Sequence, residues 1–216
     1  MDPKATITVL AGTNGAGKSS VAGELLLKAG GSFYNPDEAT RQFQASDPSL
    51  DTREANSLAW HKGRELLQKA IEEGLAFNFE TTLGGNTIPR LLEEAALGGA
   101  SVSVWYVGLA DADLHIKRVR ARVGKGGHNI PDQKIRERFQ GSRHNLVRLL
   151  PVLAYLSVFD NSAERDPDLG LTPQPRLILR TRFGVIEEGC ALTEVPEWAK
   201  PIVMAAIKIT GAAARP

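Results

Sequence analysis

Cysteine is nearly absent from this 216-residue chain: Cys190 stands alone. One cysteine excludes an internal disulfide framework and is compatible with a reducing compartment. Aromatic residues amount to 6%, and Trp60, Trp105 and Trp198 lie far apart, so there is no stacking series for a single strand of nucleic acid. Long apolar runs are missing as well. The longest, Thr6 to Ala11 and Ser101 to Ala110, fall short of the roughly 20 residues that cross a bilayer. Met1-Asp2-Pro3-Lys4 leads into only a brief apolar run, so no secretory signal is expected. His61, His115, His128 and His144 are scattered, without metal-ligand spacing. The formal charge of +1 excludes a polycation as a whole. What is present, 42% hydrophobic and 24% charged residues with 21 Gly and 12 Pro, suits a soluble globular protein with one sizeable core. The expectation is a cytoplasmic single domain over residues 1–216, with a core of about 4–162 and a C-terminal extension of about 170–216.

Strand-like and helix-like segments alternate. The pattern predicts strands at Thr6–Leu10, Ser32–Tyr34, Leu75–Phe79, Val102–Val107 and Tyr155–Phe159. Between them it predicts helices over Lys18–Ala29, Leu58–Glu73, Thr87–Leu97, Asp111–Val123 and Pro131–Leu150. This order implies a three-layer α/β/α sandwich with a mainly parallel sheet. The end differs. Pro167, Pro173 and Pro175 mark a loop over Asp166–Pro175, Arg176–Arg182 and Val185–Glu188 read as a β-hairpin, and Trp198–Ile209 as a terminal helix.

Gly12-Thr13-Asn14-Gly15-Ala16-Gly17-Lys18-Ser19 matches the phosphate-loop pattern G-x-x-x-x-G-K-[ST], with a predicted strand before it and a helix after it. The glycines let successive backbone N–H groups converge on one phosphate, and the following helix adds its positive end. Gly12, Thr13, Asn14, Gly15, Ala16, Gly17, Lys18, Ser19 and Ser20 are therefore the expected nucleotide-binding stretch. Lys18 reaches the outer phosphates and the Ser19 hydroxyl holds Mg²⁺. The loop implies ATP or GTP without naming the reaction.

Charge is unevenly placed. Lys117 to Arg148 holds ten Lys or Arg against two acids, Asp132 and Glu137, a local +8 in a chain of +1. Such a field suits phosphates or nucleic acid, and a solvated basic face is the plainer alternative. A signalling GTPase would need an Asn-Lys-x-Asp base reader, which is absent. An ABC-type motor would need an acidic pair after an apolar strand, whereas Val102–Val107 ends in Gly108-Leu109-Ala110. A small-molecule kinase needs an acid to take the acceptor's proton and arginines to hold the moving phosphoryl group. Asp37, in Asn35-Pro36-Asp37-Glu38, is either that proton acceptor or the N-cap of a helix beginning at Glu38. Glu80 ends an apolar strand and is expected to face ligand, since a buried carboxylate without a partner is costly. Arg118 and Arg122 are four apart on one helix face and suit a phosphate clamp, with Arg120 pointing elsewhere. The glycines after Arg122 suggest the hinge of a lid, with His128 toward the lid's ligand. Arg136, Arg143 and Arg148 are surplus cations for a second anion. The competing reading is a nucleic-acid-binding NTPase that uses the segment 117–148.

Ala11 to Ser19, Asn35-Pro36-Asp37 and Phe79-Glu80-Thr81-Thr82-Leu83 come in an order that resembles the zeta toxin family of kinases. Val107-Gly108-Leu109, Arg118 to Val123, Gly126-Gly127-His128 and Phe159-Asp160-Asn161-Ser162 continue the resemblance, which covers roughly Thr6 to Ser162. It implies a P-loop kinase that passes a γ-phosphoryl group to a UDP-N-acetyl sugar hydroxyl and is held in check by a protein antitoxin. It also implies roles: Asp37 as general base, Glu80 and Thr82 as substrate-holding groups, Arg118 and Arg122 as the phosphate clamp, and Asn161 near the nucleotide base. The chain is shorter than the best-known toxins, and its C-terminal hairpin is an addition.

Overall fold

Strand β1 (Thr6–Ala11) lies inside a seven-stranded sheet between two parallel neighbours, and its side chains from Ile7 to Ala11 are buried on both faces. That is how a strand inside a parallel sheet must be composed. The computed structural model describes residues 4–18, 21, 33–124, 129–163 and 174–213. The remaining strands are β2 (Phe33–Tyr34), β3 (Ala76–Thr81), β4 (Ser101–Gly108), β5 (Tyr155–Asp160), β6 (Arg176–Arg182) and β7 (Val185–Gly189). Their order is β2-β3-β1-β4-β5-β6-β7; the first five are parallel, and β6 and β7 add antiparallel at one edge. The helices described are α1 (Pro36–Ser46), α2 (Thr52–Glu73), α3 (Thr87–Leu97), α4 (Ala112–Val123), α5 (Asp132–Leu149) and α6 (Lys200–Ala213).

Alternation along the strands sends side chains to two cores. Ile7, Val9, Val102, Val104 and Tyr106 meet Leu67 of α2, Leu92 of α3, Leu146 of α5 and Ile202 of α6. On the opposite face Leu10, Trp105, Val107 and Phe159 meet Ala16 and Val21, the residues that flank the phosphate loop's end. The sequence-predicted sandwich and its parallel sheet are thus observed, as are the hairpin and terminal helix. The hairpin closes through Phe183 (φ 48°) and Gly184 (φ 76°), the two left-handed positions a two-residue turn needs. The helix expected over Lys18–Ala29 and the glycine-rich segment at 125–128 lie outside the described residues, as does most of the Asp166–Pro175 loop.

Two helices begin earlier than the pattern predicts. Helix α2 starts at Thr52 rather than Leu58: Asp51 accepts from Glu54 N–H at 2.8 Å while Glu54 accepts from Asp51 N–H at 3.0 Å, a reciprocal cap. Residues 52–57 carry little apolar periodicity, so the cap starts the helix where hydrophobicity does not. Helix α1 is capped by Asn35, not Asp37. Asn35 Oδ1 accepts from the Asp37 and Glu38 N–H groups at 2.9 and 3.3 Å, and Pro36 takes the first turn, where no amide donor is needed.

Helix α5 and the loop after β3 touch at backbone distance. A Cβ on Gly141 would stand 2.6 Å from the Gly84 carbonyl oxygen, and one on Gly84 would stand 2.9 Å from Arg138 Cα. Neither neighbour is a side-chain end that can swing away. Gly141→Ala should therefore destabilise the protein by about 1–3 kcal/mol in urea denaturation, the usual cost of overpacking.

Candidate functional site

The carboxyl ends of β1, β2 and β3 open onto one cleft of about 730 Å³, the edge at which open α/β sheets take ligands. Gly12, Gly15 and Gly17 adopt φ of 143°, 83° and 78°, values that side chains rarely tolerate. A Cβ on Gly12 would stand 2.2 Å from the Val107 carbonyl oxygen, and one on Gly15 2.7 Å from that of His115. The loop is therefore wedged between the end of β4 and helix α4. Ala16 N–H turns back to Thr13 O at 3.0 Å, and the buried Thr13 hydroxyl has no hydrogen-bond partner among the described residues.

Lys18 is 8% exposed. Its Nζ donates to Gly12 O at 2.8 Å and sits 3.2 Å from Glu80 Oε1. The Glu80 carboxylate at the end of β3 is thus a partner of the loop lysine as well as a wall of the cleft. Asn35 joins the two acids. Its Oδ1 caps the helix turn that carries Asp37, while its Nδ2 donates to Glu80 Oε2 at 3.4 Å. Asp37 is consequently no cap; its carboxylate is half exposed, faces the cleft and lies 3.5 Å from Arg122 Nη1. The structure brings Lys18, Asp37, Glu80, Thr82 and Arg122 into one cleft lining.

Three other groups of expected site residues make contacts of their own. Arg118 does not line the cleft: its Nη2 donates to Ala163 O at 3.1 Å, while Arg122 reaches the opposite way to Asp37. Asn161 Nδ2 donates to Ala16 O at 2.8 Å, so its buried amide holds the loop itself. Arg136 pairs with Asp113, Arg148 with Glu93, and Arg143 lies 4.0 Å over the Phe139 ring. These cations already have partners, as does Arg120 with Asp132. Four of the described cations of the segment 117–148, Arg120, Arg122, Arg136 and Arg148, are thus paired with carboxylates. Ser19, Ser20 and His128 lie outside the described residues.

The residues that sequence reasoning missed sit on the far walls. Arg138 projects from α5 into the cleft and donates from Nη1 to Asn14 Oδ1 at 2.7 Å. Burial lowers its pKa from the usual value, opposed by Asp37 and Glu137; a guanidinium stays charged regardless. Arg53 and Arg64 face it from α2 and Lys134 from α5, and Arg64 Nε is buried without a partner among the described residues. Among the described residues, six cations and three carboxylates line the cleft. Tyr34 and Trp60 add aromatic surface. Asn145 fixes the Thr82–Asn86 wall by donating to Leu83 O and Gly85 O at 2.8 and 2.9 Å, which holds Leu83 at its unusual φ of 55°. A helical face with Lys134 and Arg138 four apart was the available signal for the α5 wall.

Nucleotide phosphates and Mg²⁺ fit these residues. The glycine cradle admits no Cβ, and a cationic Lys18 stands at its mouth. No cluster of three His, Cys, Asp or Glu occurs among the described residues, so a metal there would rely on phosphate oxygens, water and the Ser19 hydroxyl. No helix among the described residues is long and apolar enough to cross a membrane.

The zeta toxin family model matches residues 2–164. An uncharacterized protein of Haemophilus influenzae is 30% identical over 128 residues, covering 59% of this chain and 88% of that one. Among solved structures, the AvrRxo1-ORF1:AvrRxo1-ORF2 complex with sulphate ions superposes with a TM-score of 0.59 at 15% identity, over 95% of this chain. This chain spans 63% of the matched AvrRxo1 chain. A structure of the same pair with ATP gives 0.58 at 15% identity, over 95% of this chain and 63% of that chain. The PezAT chromosomal toxin–antitoxin system of Streptococcus pneumoniae gives 0.58 at 12% identity, covering 99% of this chain and 88% of that one. At these identities the likeness shows the fold alone.

Behind the loop, His115 is fully buried and its Nδ1 lies 2.9 Å from Asn14 O, so Nδ1 carries the proton and Nε2 is left without a partner among the described residues. Burial drives its pKa down to about 4, helped by Lys18 and Arg118. The unfolded chain then takes up a proton below about pH 6.5 that the folded chain refuses until about pH 4. Stability is complete above pH 6.5 and falls through that window, by up to about 3 kcal/mol. Urea titrations at pH 7 and 4.5 should show a steeper loss for the native chain than for His115→Gln.

Proposed function

Because this chain belongs to the zeta toxin family, we propose that it transfers the γ-phosphoryl group of ATP or GTP to a hydroxyl of a phosphate-bearing metabolite, with a UDP-N-acetyl amino sugar as the leading acceptor. The observation that carries this reading is one continuous cleft. It joins the loop lysine to two carboxylates and to a far wall of Arg53, Arg64 and Lys134. A triphosphate on the glycine loop already has Lys18, Arg122 and Arg138 near it. The cations on α2 and at the start of α5 suit a second anion, and Tyr34 and Trp60 suit a ring.

The roles follow from placement. Lys18 neutralises the outer phosphates, and Glu80 and the Gly12 carbonyl keep its ammonium aimed. Asp37 takes the proton from the acceptor hydroxyl as that oxygen bonds to the γ-phosphorus and the bond to the leaving nucleoside diphosphate breaks. Arg122 and Arg138 face the charge that spreads over the moving group. Thr82 and Glu80 orient the acceptor. Mg²⁺, held through Ser19, supplies neutralisation of the phosphate oxygens when bound. A protein antitoxin as partner is supported by family membership and is part of the same proposal.

Incubation with ATP, Mg²⁺ and UDP-N-acetylglucosamine should give a product heavier by one phosphoryl group, with neutral hydroxyl compounds as the control. Phosphorylation of neutral compounds alone would overturn the acceptor assignment and leave the kinase reading in place. Asp37→Asn should keep ATP binding and lose roughly 10²–10⁴-fold in turnover. Asn35→Ser separates capping from positioning, since serine caps as well as asparagine but has no amide to hold Glu80. Its folding stability should stay near native while turnover falls about 10- to 100-fold, the effect of a misplaced catalytic group. Native turnover in Asn35→Ser would leave Asn35 with a capping role only.

A further inference from the structure

The family-matched segment ends at residue 164, yet the sheet and core continue. Beyond it, a short 3-10 turn at Glu197–Ala199 leads into α6, and this turn buries Trp198 to 2% exposure. The indole lies where Gly108, the last residue of β4, has no side chain. A Cβ there would stand 2.4 to 2.8 Å from three ring atoms. Trp198 Nε1 donates to Asp160 Oδ1 at 3.1 Å, and Asp160 is the last residue of β5, in register with Gly108. The next residue, Asn161, donates from its backbone to Gly108 O at 3.0 Å and from its side chain to Ala16 O at 2.8 Å. An unbroken series of contacts thus runs from the C-terminal unit through Trp198, Asp160 and Asn161 to the phosphate loop.

We propose that the C-terminal unit, residues 174–213, positions the phosphate loop, and that Trp198 is the positioning residue through which it acts. The physical argument concerns the Asp160–Asn161 turn. Asn161 can hold Ala16 O only while its backbone stays at the end of β5. Ser162 Oγ and the Trp198 N–H both bond Asp160 Oδ1 and keep that strand end in place. The indole fills the gap at Gly108, so the two strand ends cannot slide toward it. A loop whose carbonyl loses this anchor spends more of its time away from the geometry that receives phosphate. The proposal rests on the nucleotide-binding part of the reading above and is independent of the acceptor.

The test uses the full chain with Trp198→Phe, Asn161→Ala and the double variant. Phenylalanine keeps an aromatic ring and removes the donor. Two quantities are read: hydrogen exchange of the amides in residues 12–18, and the dissociation constant for ATP with Mg²⁺. Trp198→Phe should speed loop exchange and weaken ATP binding by roughly 3- to 30-fold, the range for contacting residues. In the Asn161→Ala background the same change should add less than about twofold, because the path is already cut. Should Trp198→Phe fold poorly, Asp160→Ala carries the same test. Asp160→Asn, which retains the accepting oxygen, should bind ATP as the native chain does. Native loop exchange and native affinity in Trp198→Phe, with only a lower melting temperature, would overturn the proposal and make Trp198 a core residue. Effects of Trp198→Phe and Asn161→Ala that multiply independently would overturn it as well. A native chain that binds no ATP would instead refute the proposed function, and loop exchange would still decide this inference.

Discussion

The phosphate loop is pressed against the end of β4 so closely that position 12 has no room for a methyl group: 2.2 Å would separate it from the Val107 carbonyl oxygen. Such contact fixes where the loop begins, because backbone carbonyls at the end of a buried strand do not yield. From there the loop is held by groups that come from far along the chain. His115 meets Asn14 O, Arg138 meets Asn14 Oδ1 and Asn161 meets Ala16 O. A glycine-rich stretch has high conformational entropy when free, so these anchors are what keep it in one shape.

The charges at the site form one linked series rather than isolated pairs. Lys18 faces Glu80, Glu80 faces the Asn35 amide, Asn35 sets the turn that carries Asp37, and Asp37 faces Arg122. Each carboxylate therefore has a defined neighbour and a defined direction. The exposed Asp37–Arg122 pair contributes little to stability at this separation and exposure. Its effect is geometric, since it holds a carboxylate and a guanidinium at the same mouth.

Much of this was legible in the sequence where the signal is local. β-branched runs marked the strands, the glycine pattern marked the phosphate loop, and the acids after β2 and at the end of β3 marked the edge where the cleft opens. What stayed hidden depends on partners distant in sequence. Asn35 and Asp37 are both good caps, and only the fold shows that Asn35 Oδ1 takes the helix amides. Arg118 and Arg122 share a face by spacing, yet one bends to Ala163 and the other to Asp37. The start of α2 was missed because its cap, not an apolar stripe, begins it. Arg138 looked like any other cation in a basic run; depth in the cleft distinguishes it, and depth is a property of packing.

The distribution of the basic residues bears on which ligand the cleft favours. A run with a net +8 between residues 117 and 148 suggests a broad field, the kind that attracts any polyanion. The fold breaks that field up. Arg120, Arg136 and Arg148 sit against carboxylates, and Arg143 against an aromatic face. The described cations of the cleft come from four elements, the phosphate loop, α2, α4 and α5, the last two lying within that run. Cations contributed by separate elements converge on one volume only in the folded state, and they face each other across about 730 Å³ rather than along a surface. Walls that face each other suit a compact anion, whereas a long polyanion needs charges in a row. The same segment that reads as a nucleic-acid surface in one dimension supplies, in three, Arg122, Lys134 and Arg138 to the wall of a cleft.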